Sequence, residues 1–221
     1  MDITRQKLNS IIDSQDKNLL ELAKCHQSAF PHSFTSKMGR NYTAKTLEWY
    51  LTSDNKFLFH IEENGRIAGY CGGFVRMGEP YGSSSGMTQY AFREGLKALL
   101  VRPWLLFHPK IQGNFSFILR NIRYRFFPPR NLIAPGVQSA EIQPKAKTAG
   151  LVVIGVHPDF QGKGYGSMLL QEFERKARSM NCQKMGLTVE AGNDQAIRSY
   201  TRNGWQVISR KNDHLEMEKV M

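Results

Sequence analysis

Residues 150–166 read Gly150-Leu-Val-Val-Ile-Gly-Val-His-Pro-Asp-Phe-Gln-Gly-Lys-Gly-Tyr-Gly166. The β-branched run Leu151–Val156 predicts a buried strand, and Pro158 ends it because proline has no N–H for a ladder. Glycines at 162, 164 and 166 follow, and an apolar pattern with helical period begins directly after them. Strand, glycine-rich turn and helix form a geometry that aims several main-chain N–H groups at one spot. With the positive end of the helix dipole, that spot suits a phosphate or pyrophosphate.

Three glycine-rich phosphate loops compete for this turn. The dinucleotide fingerprint needs Gly-x-Gly-x-x-Gly near the start of a doubly wound domain, whereas the spacing here is Gly-x-Gly-x-Gly late in the chain. A P-loop needs four residues between its glycines and then Gly-Lys-Ser/Thr; Lys163 and Ser167 stand at the wrong spacing. The third pattern, Gln/Arg-x-x-Gly-x-Gly/Ala, is satisfied by Gln161, Gly164 and Gly166.

The residues downstream continue the pattern. Met168, Leu169, Phe173, Ala177 and Met180 share one helical stripe, with Glu172–Lys176 and Glu174–Arg178 as i,i+4 ion pairs opposite and Asn181 as a stop. Met185–Val189 predicts a short strand. Asn193 then caps a helix with Ala196, Ile197 and Tyr200 on its apolar face, and Gly204 ends it before Trp205. The run Asn-x-x-Ala-x-x-x-Tyr-x-x-x-Gly-Trp and the glycine turn, in this order, resemble the two signatures of the GNAT acetyltransferase superfamily over residues 150–208.

That resemblance implies an α/β (α+β) fold: a mixed, mostly antiparallel central sheet flanked by helices. It further implies an N-acetyltransferase that moves an acetyl group from acetyl-CoA to a primary amine within a ternary complex. Carried over to this sequence, the pyrophosphate falls to Gln161, Gly162, Lys163, Gly164, Tyr165, Gly166 and Ser167. The pantetheine arm falls to the strand backbone at Ile154, Gly155 and Val156, with Asn193 contacting the arm. Tyr200 takes the part of general acid. Glu190 is the candidate base, with Glu141, His157 and a water-relayed proton as alternatives.

Upstream, residues 18–30 predict an amphipathic helix stopped by Pro31, and Thr43 a cap for a second helix through Leu51. Lys56–Ile61 and Arg66–Val75 predict strands joined by a type I′ turn at Asn64-Gly65. Gly69, Gly72 and Gly73 in the second strand signal bulges or close backbone approach to a ligand, with a poorly packed edge as the alternative. The chain is expected to be a single GNAT-like domain over 1–221. It carries an insert at about 78–147, where compact family members have a short connection. Gly82–Gly86 is expected to be a loop, Phe92, Leu96, Leu99 and Leu100 a helical stripe ended by Pro103, and Phe115–Phe127 an aromatic, basic helix.

Of 221 residues, 41% are hydrophobic and 22% charged, which suits a packed core. Cys25, Cys71 and Cys182 are odd in number and scattered, and suggest neither a disulfide framework nor a zinc site; no metal ligand set is expected. With no apolar leader and no run near the ~20 residues that span a bilayer, the expected location is cytoplasmic, at most peripheral to a membrane. Net charge is +11, and the segment 93–130 holds eight basic residues against the single acid Glu94. That segment can serve as a solvated face, a site for an anionic acceptor such as a nucleotide-linked amino sugar, or an anionic membrane contact. Nucleic acid is the weakest partner, and a protein N-terminus or lysine is the alternative acceptor. A non-catalytic CoA-binding module is a further alternative. The last strand, His214–Glu218, is a candidate for pairing in a homodimer.

Overall fold

The computed structural model describes residues 11–78, 85–113 and 146–221. Among the described residues, seven strands form one sheet in the order β1-β2-β3-β4-β5-β7-β6: β1 Ile11–Asp13, β2 Lys56–Glu63, β3 Arg66–Met77, β4 Lys147–Val156, β5 Lys184–Glu190, β6 Gln206–Lys211 and β7 His214–Val220. Every pairing is antiparallel except β4 with β5. The β2–β3 turn forms as predicted, with Asn64 at φ 53° and Gly65 at φ 71°, the two left-handed residues a type I′ turn needs.

Helices cover both faces of the sheet. On one side, α1 (Leu19–Ala29) and α3 (Arg40–Glu48) pack Leu22, Ala23, Leu47 and Tyr50 against Leu58 and Tyr70, with α2 (Phe34–Met38) between them in sequence. On the other, α7 (Tyr165–Ser179) buries Leu169, Leu170, Phe173 and Ala177 against Phe59, Cys71, Met185 and Trp205. Each large apolar side chain so enclosed contributes about 1.5–3 kcal/mol. α8 (Asp194–Arg202) supplies Tyr200 to the same core.

The long segment after β3 sits inside a β-hairpin. β3 and β4 are register partners out to Met77 and Lys147, and the Gly78 amide donates to Ala146 O at 2.8 Å. The Thr148 hydroxyl donates to Gly78 O at 2.5 Å and fastens the root of the excursion. Within it, α4 (Ser85–Tyr90), α5 (Phe92–Val101) and α6 (Pro109–Gln112) lie near α2 and α3. There Ala91, Ala98 and Leu105 pack on Met38 and Tyr42. No helix of the described residues is long and apolar enough to cross a membrane.

Several sequence expectations are corrected. Thr43 does not cap: Gly39 precedes α3, and the Thr43 hydroxyl turns back to Gly39 O and Thr35 O. α4 begins at Ser85, inside the expected 82–86 loop. The stripe of α5 is split: Gly95 and Ala98 are buried, Leu99 packs beside them and Phe92 is half-buried, while Leu96 and Leu100 face out. Glu172 and Glu174 are buried, not solvent-facing; Glu172 pairs with Arg175 instead of Lys176, which reaches Asp13, while the expected Glu174–Arg178 pair forms at 3.6 Å. Glu174 accepts from Trp205 Nε1 at 3.1 Å and Lys219 Nζ at 2.8 Å. β7 is not an edge; it lies between β5 and β6, so its ladder groups are already engaged and β6 is the edge. The expected helix over 115–127 falls outside the described residues.

Candidate functional site

β4 changes its surroundings halfway along. Thr148–Leu151 pairs with Lys184–Leu187 of β5 and is buried; beyond Leu151 no pair with β5 remains. Val152 is the extra residue of a bulge opposite Gly72/Gly73 and is 39% exposed. Of the strand expected to be fully buried over Leu151–Val156, only Leu151 and Gly155 are buried, because its neighbour on one side diverges and leaves a gap.

The backbone on that gap turns hydrogen-bonding groups outward, of which Val156 O is taken by the Gln161 side chain. The His157 amide donates to Ala68 O at 2.9 Å, so by ladder alternation the N–H and C=O of Val156, and of Ile154 two residues earlier, turn away from β3 toward the gap. Gly155 lies between them, and a Cβ there would come within 2.7 Å of the Phe30 ring and 3.1 Å of the Tyr70 ring. Only glycine lets α1 pack this closely under β4. Gly69, Gly72 and Gly73 combine a bulge with close approach: added Cβ atoms would lie 2.8–2.9 Å from Gly155 O, the Tyr50 ring and the Phe57 and Phe173 rings respectively.

At the end of β4 the chain makes a short turn over Pro158–Phe160, and the Gln161 carboxamide donates back to Val156 O at 3.2 Å. Gly162 and Gly164 then take φ of +77° and +84°, and a Cβ at either would meet no atom within 4 Å. Here glycine is required by backbone conformation, not by crowding, and the space outside is open. Gly164 stands at the N-cap of α7 with no side-chain cap, and the Met168 amide donates to Gly164 O. The amides of Gly162, Gly164, Gly166 and Ser167 have no main-chain acceptor among the described residues outside α7's own ladder, whose first bond comes from Met168.

The turn is fixed to the β2–β3 hairpin by residues that the linear pattern does not single out. Lys163 Nζ lies 3.2 Å from Glu63 and 4.9 Å from the Phe160 ring centre. Arg66 donates to Asp159 at 2.7 Å and also covers Phe160. Tyr165 is buried and its hydroxyl engages Glu63, so it offers the turn its main chain alone.

The remaining candidates stand on α8, at the end of β5 and just after β4. Asn193 caps α8, with Oδ1 accepting from the Ala196 amide at 3.1 Å. Tyr200 is 9% exposed, tilted against Trp205 with centroids 6.2 Å apart, and its hydroxyl has no hydrogen-bond partner among the described residues. Burial pushes that hydroxyl well above the ordinary phenol range, so it stays protonated throughout neutral pH. Glu190 ends β5, exposed, in register with His214 of β7. His157 is engaged locally: its Nδ1 accepts from the Asp159 amide at 3.3 Å. Glu141 falls outside the described residues.

The model of the acetyltransferase (GNAT) family matches residues 124–205. Over that stretch the chain is similar to the GNAT family. Among curated relatives, mycothiol acetyltransferase of Propionibacterium freudenreichii subsp. shermanii is 39% identical over 57 residues, 26% of this chain and 18% of that protein. The chain spans between 18% and 39% of the length of the first curated relatives it matches. Solved GNAT structures superpose over nearly the whole chain. One is the PaiA N-acetyltransferase of Thermoplasma acidophilum in complex with coenzyme A, with TM-score 0.51 at 12% identity, covering 96% of this chain and 98% of that one. Another is the ribosomal-protein-alanine N-acetyltransferase of Brucella melitensis, with TM-score 0.53 at 14% identity, covering 96% and 99%. At such identities the likeness is one of GNAT fold.

Proposed function

We propose that this chain is an acyltransferase that moves the acetyl group of acetyl-CoA to a primary amine. The observation that carries the reading is the continuity of two features. The open half of β4 presents backbone groups at Ile154 and Val156, and it leads directly into the Gly162–Ser167 turn, where side-chain-free amides face open space. The pyrophosphate would sit on that turn at the positive end of α7. The pantetheine arm would pair with the free edge of β4 as an added strand. The chemistry of the donors fits such a ligand, since they include several amides, the Lys163 ammonium nearby, and glycines with no Cβ in the way.

In the reaction, the neutral amine attacks the thioester carbonyl, the new C–N bond forms and the C–S bond breaks. The departing thiolate takes the Tyr200 proton, which solvent replaces. The amine's surplus proton goes to Glu190, directly or through water. Tyr200 suits its part because burial keeps it neutral and its hydroxyl is uncommitted. Holding both reactants in line supplies much of the remaining rate.

The acceptor we favour is the amine of a small molecule, an amino sugar or a nucleotide-linked amino sugar; the arginine-rich segment 93–130 supports an anionic one. Relatives and structural neighbours include enzymes named for mycothiol and for ribosomal-protein alanine, so a protein N-terminus is the competing acceptor. A thiol-release assay with acetyl-CoA across amino sugars, amino-sugar nucleotides and N-terminal peptides tests this. Turnover confined to the sugars is expected. Turnover confined to peptides would overturn the acceptor, and no turnover with any amine would overturn the activity.

A further inference from the structure

The helices between β3 and β4 carry a surface that acyl transfer does not use. From residue 96 to 107 the exposed positions are Leu96, Leu100, Val101, Trp104, Leu106 and Phe107, interrupted only by Lys97 and Pro103. Leu100 is 83% exposed, Phe107 75% and Trp104 63%. The inward positions are Ala91, Gly95, Ala98 and Leu105, which meet Met38 and Tyr42, with Leu99 partly buried beside them. An ordinary surface helix buries most of its large apolar side chains; this segment leaves six of them outside. It is also held firmly. The Arg102 guanidinium donates to Met38 O at 3.1 Å and fills the space beside Gly39, where a Cβ would come within 2.7 Å of it.

We propose that this face, Leu96–Phe107, seats the protein on an anionic lipid surface. Charge selects that occupant. Exposed Arg93 and Lys97 border the apolar residues; Lys97 pairs at 2.6 Å with Glu94, the only acid from 85 to 113, which leaves the Arg93 charge in excess. A second copy would set one basic face against another on a chain of net charge +11. The chain between 114 and 145 has apolar residues of its own, but with five Lys and Arg against Glu141 it offers no net opposite charge. A nucleotide sugar needs cations but has no use for an outward Leu100, Trp104 and Phe107. A bilayer interface takes both: aliphatic and aromatic side chains enter the acyl boundary, tryptophan sits at headgroup level, and cations meet anionic headgroups. The inference stands independently of the acyl-transfer reading.

The test is co-sedimentation of the full chain with vesicles of phosphatidylcholine alone and of phosphatidylcholine mixed with phosphatidylglycerol, at low and high salt. Binding to the mixed vesicles only, weakened by salt, is expected, with a blue shift of tryptophan emission. The triple variant Leu100→Ser, Trp104→Ser, Phe107→Ser removes only exposed side chains. It should lower the partition coefficient at least tenfold while keeping the circular dichroism spectrum and thermal midpoint. No binding to mixed vesicles, or equal binding by the variant, overturns the proposal. So does a wild-type dimer that the variant abolishes, or binding to RNA that depends on the same three residues without vesicle binding.

Discussion

Leu151 of β4 and Leu187 of β5 are the last register partners of the two parallel strands, and the sheet is open on that side of β4 from Val152 onward. If coenzyme A fills this opening as an added strand, its arm must pair with the amide that turns outward. Hydrogen exchange followed by NMR should show the Ile154 and Val156 amides slowed at least tenfold by coenzyme A. The Gly155 amide, which the ladder alternation turns toward β3, should change little. Equal change at all three would contradict a strand-like arm.

The turn can be blocked without crowding the protein. Gly162→Val and Gly164→Val place side chains in space free of protein atoms, at left-handed φ of +77° and +84°. Each should cost roughly 1–2 kcal/mol in stability. Calorimetry should show coenzyme A affinity falling at least tenfold for either variant. A loss of stability with unchanged affinity would remove the turn from the site.

Tyr200→Phe keeps the ring against Trp205 and removes a hydroxyl with no partner among the described residues. The thermal midpoint should hardly move. If the hydroxyl is the general acid, kcat should fall on the order of a hundredfold with KM for acetyl-CoA unchanged. An unchanged kcat would reassign the proton donor.

Glu174 is 5% exposed and joins three elements, since Trp205 and Lys219 both donate to it from beyond its own helix. Glu174→Gln removes the charge and one of the two oxygens, so the Trp205 N–H and the Lys219 ammonium compete for a single carbonyl. A loss of about 3 kcal/mol in urea unfolding is expected, the cost of breaking a buried ion pair from one side.

His26 should give the fold an acid limb. It is buried beneath β4; the Tyr70 hydroxyl bonds its Nδ1, and Ser33 Oγ lies 3.4 Å from its Nε2. Burial lowers its pKa from 6.5 to about 4. Between those values the unfolded chain binds the proton and the folded chain does not. Stability is therefore full above pH 6.5 and drains as the pH falls toward 4, by up to about 3 kcal/mol. Urea midpoints at pH 7 and pH 4.5 should differ more for the wild type than for His26→Gln.

Local chemistry made part of this molecule legible in advance. Asn64-Gly65 specifies its own turn, Asn193 its own cap, and the 162–166 glycines a bend that only a missing Cβ permits. Each depends on neighbours within a few residues. The rest depends on partners far along the chain. Glu174 looks like half of an i,i+4 surface pair until Trp205 and Lys219, 31 and 45 residues away, enclose it. Lys163 meets Glu63 across a separation of 100 residues. α2 is five residues long and is capped by Ser33, too short to show a period. In β4 the apolar run reports that the strand is central; the divergence from β5 is a property of two strands together and leaves no mark in either one.

The place of β7 between β5 and β6 bears on how the sheet is completed during synthesis. β6 leaves the ribosome before β7, yet it has no strand to join until β7 arrives, and the outer rim of β5 stays bare for the same interval. The glycine turn and α7 precede that moment and can form without it. Lys219, which reaches Glu174 on α7, comes with the final strand, so the closing zipper and the last buried charge pair are laid down together.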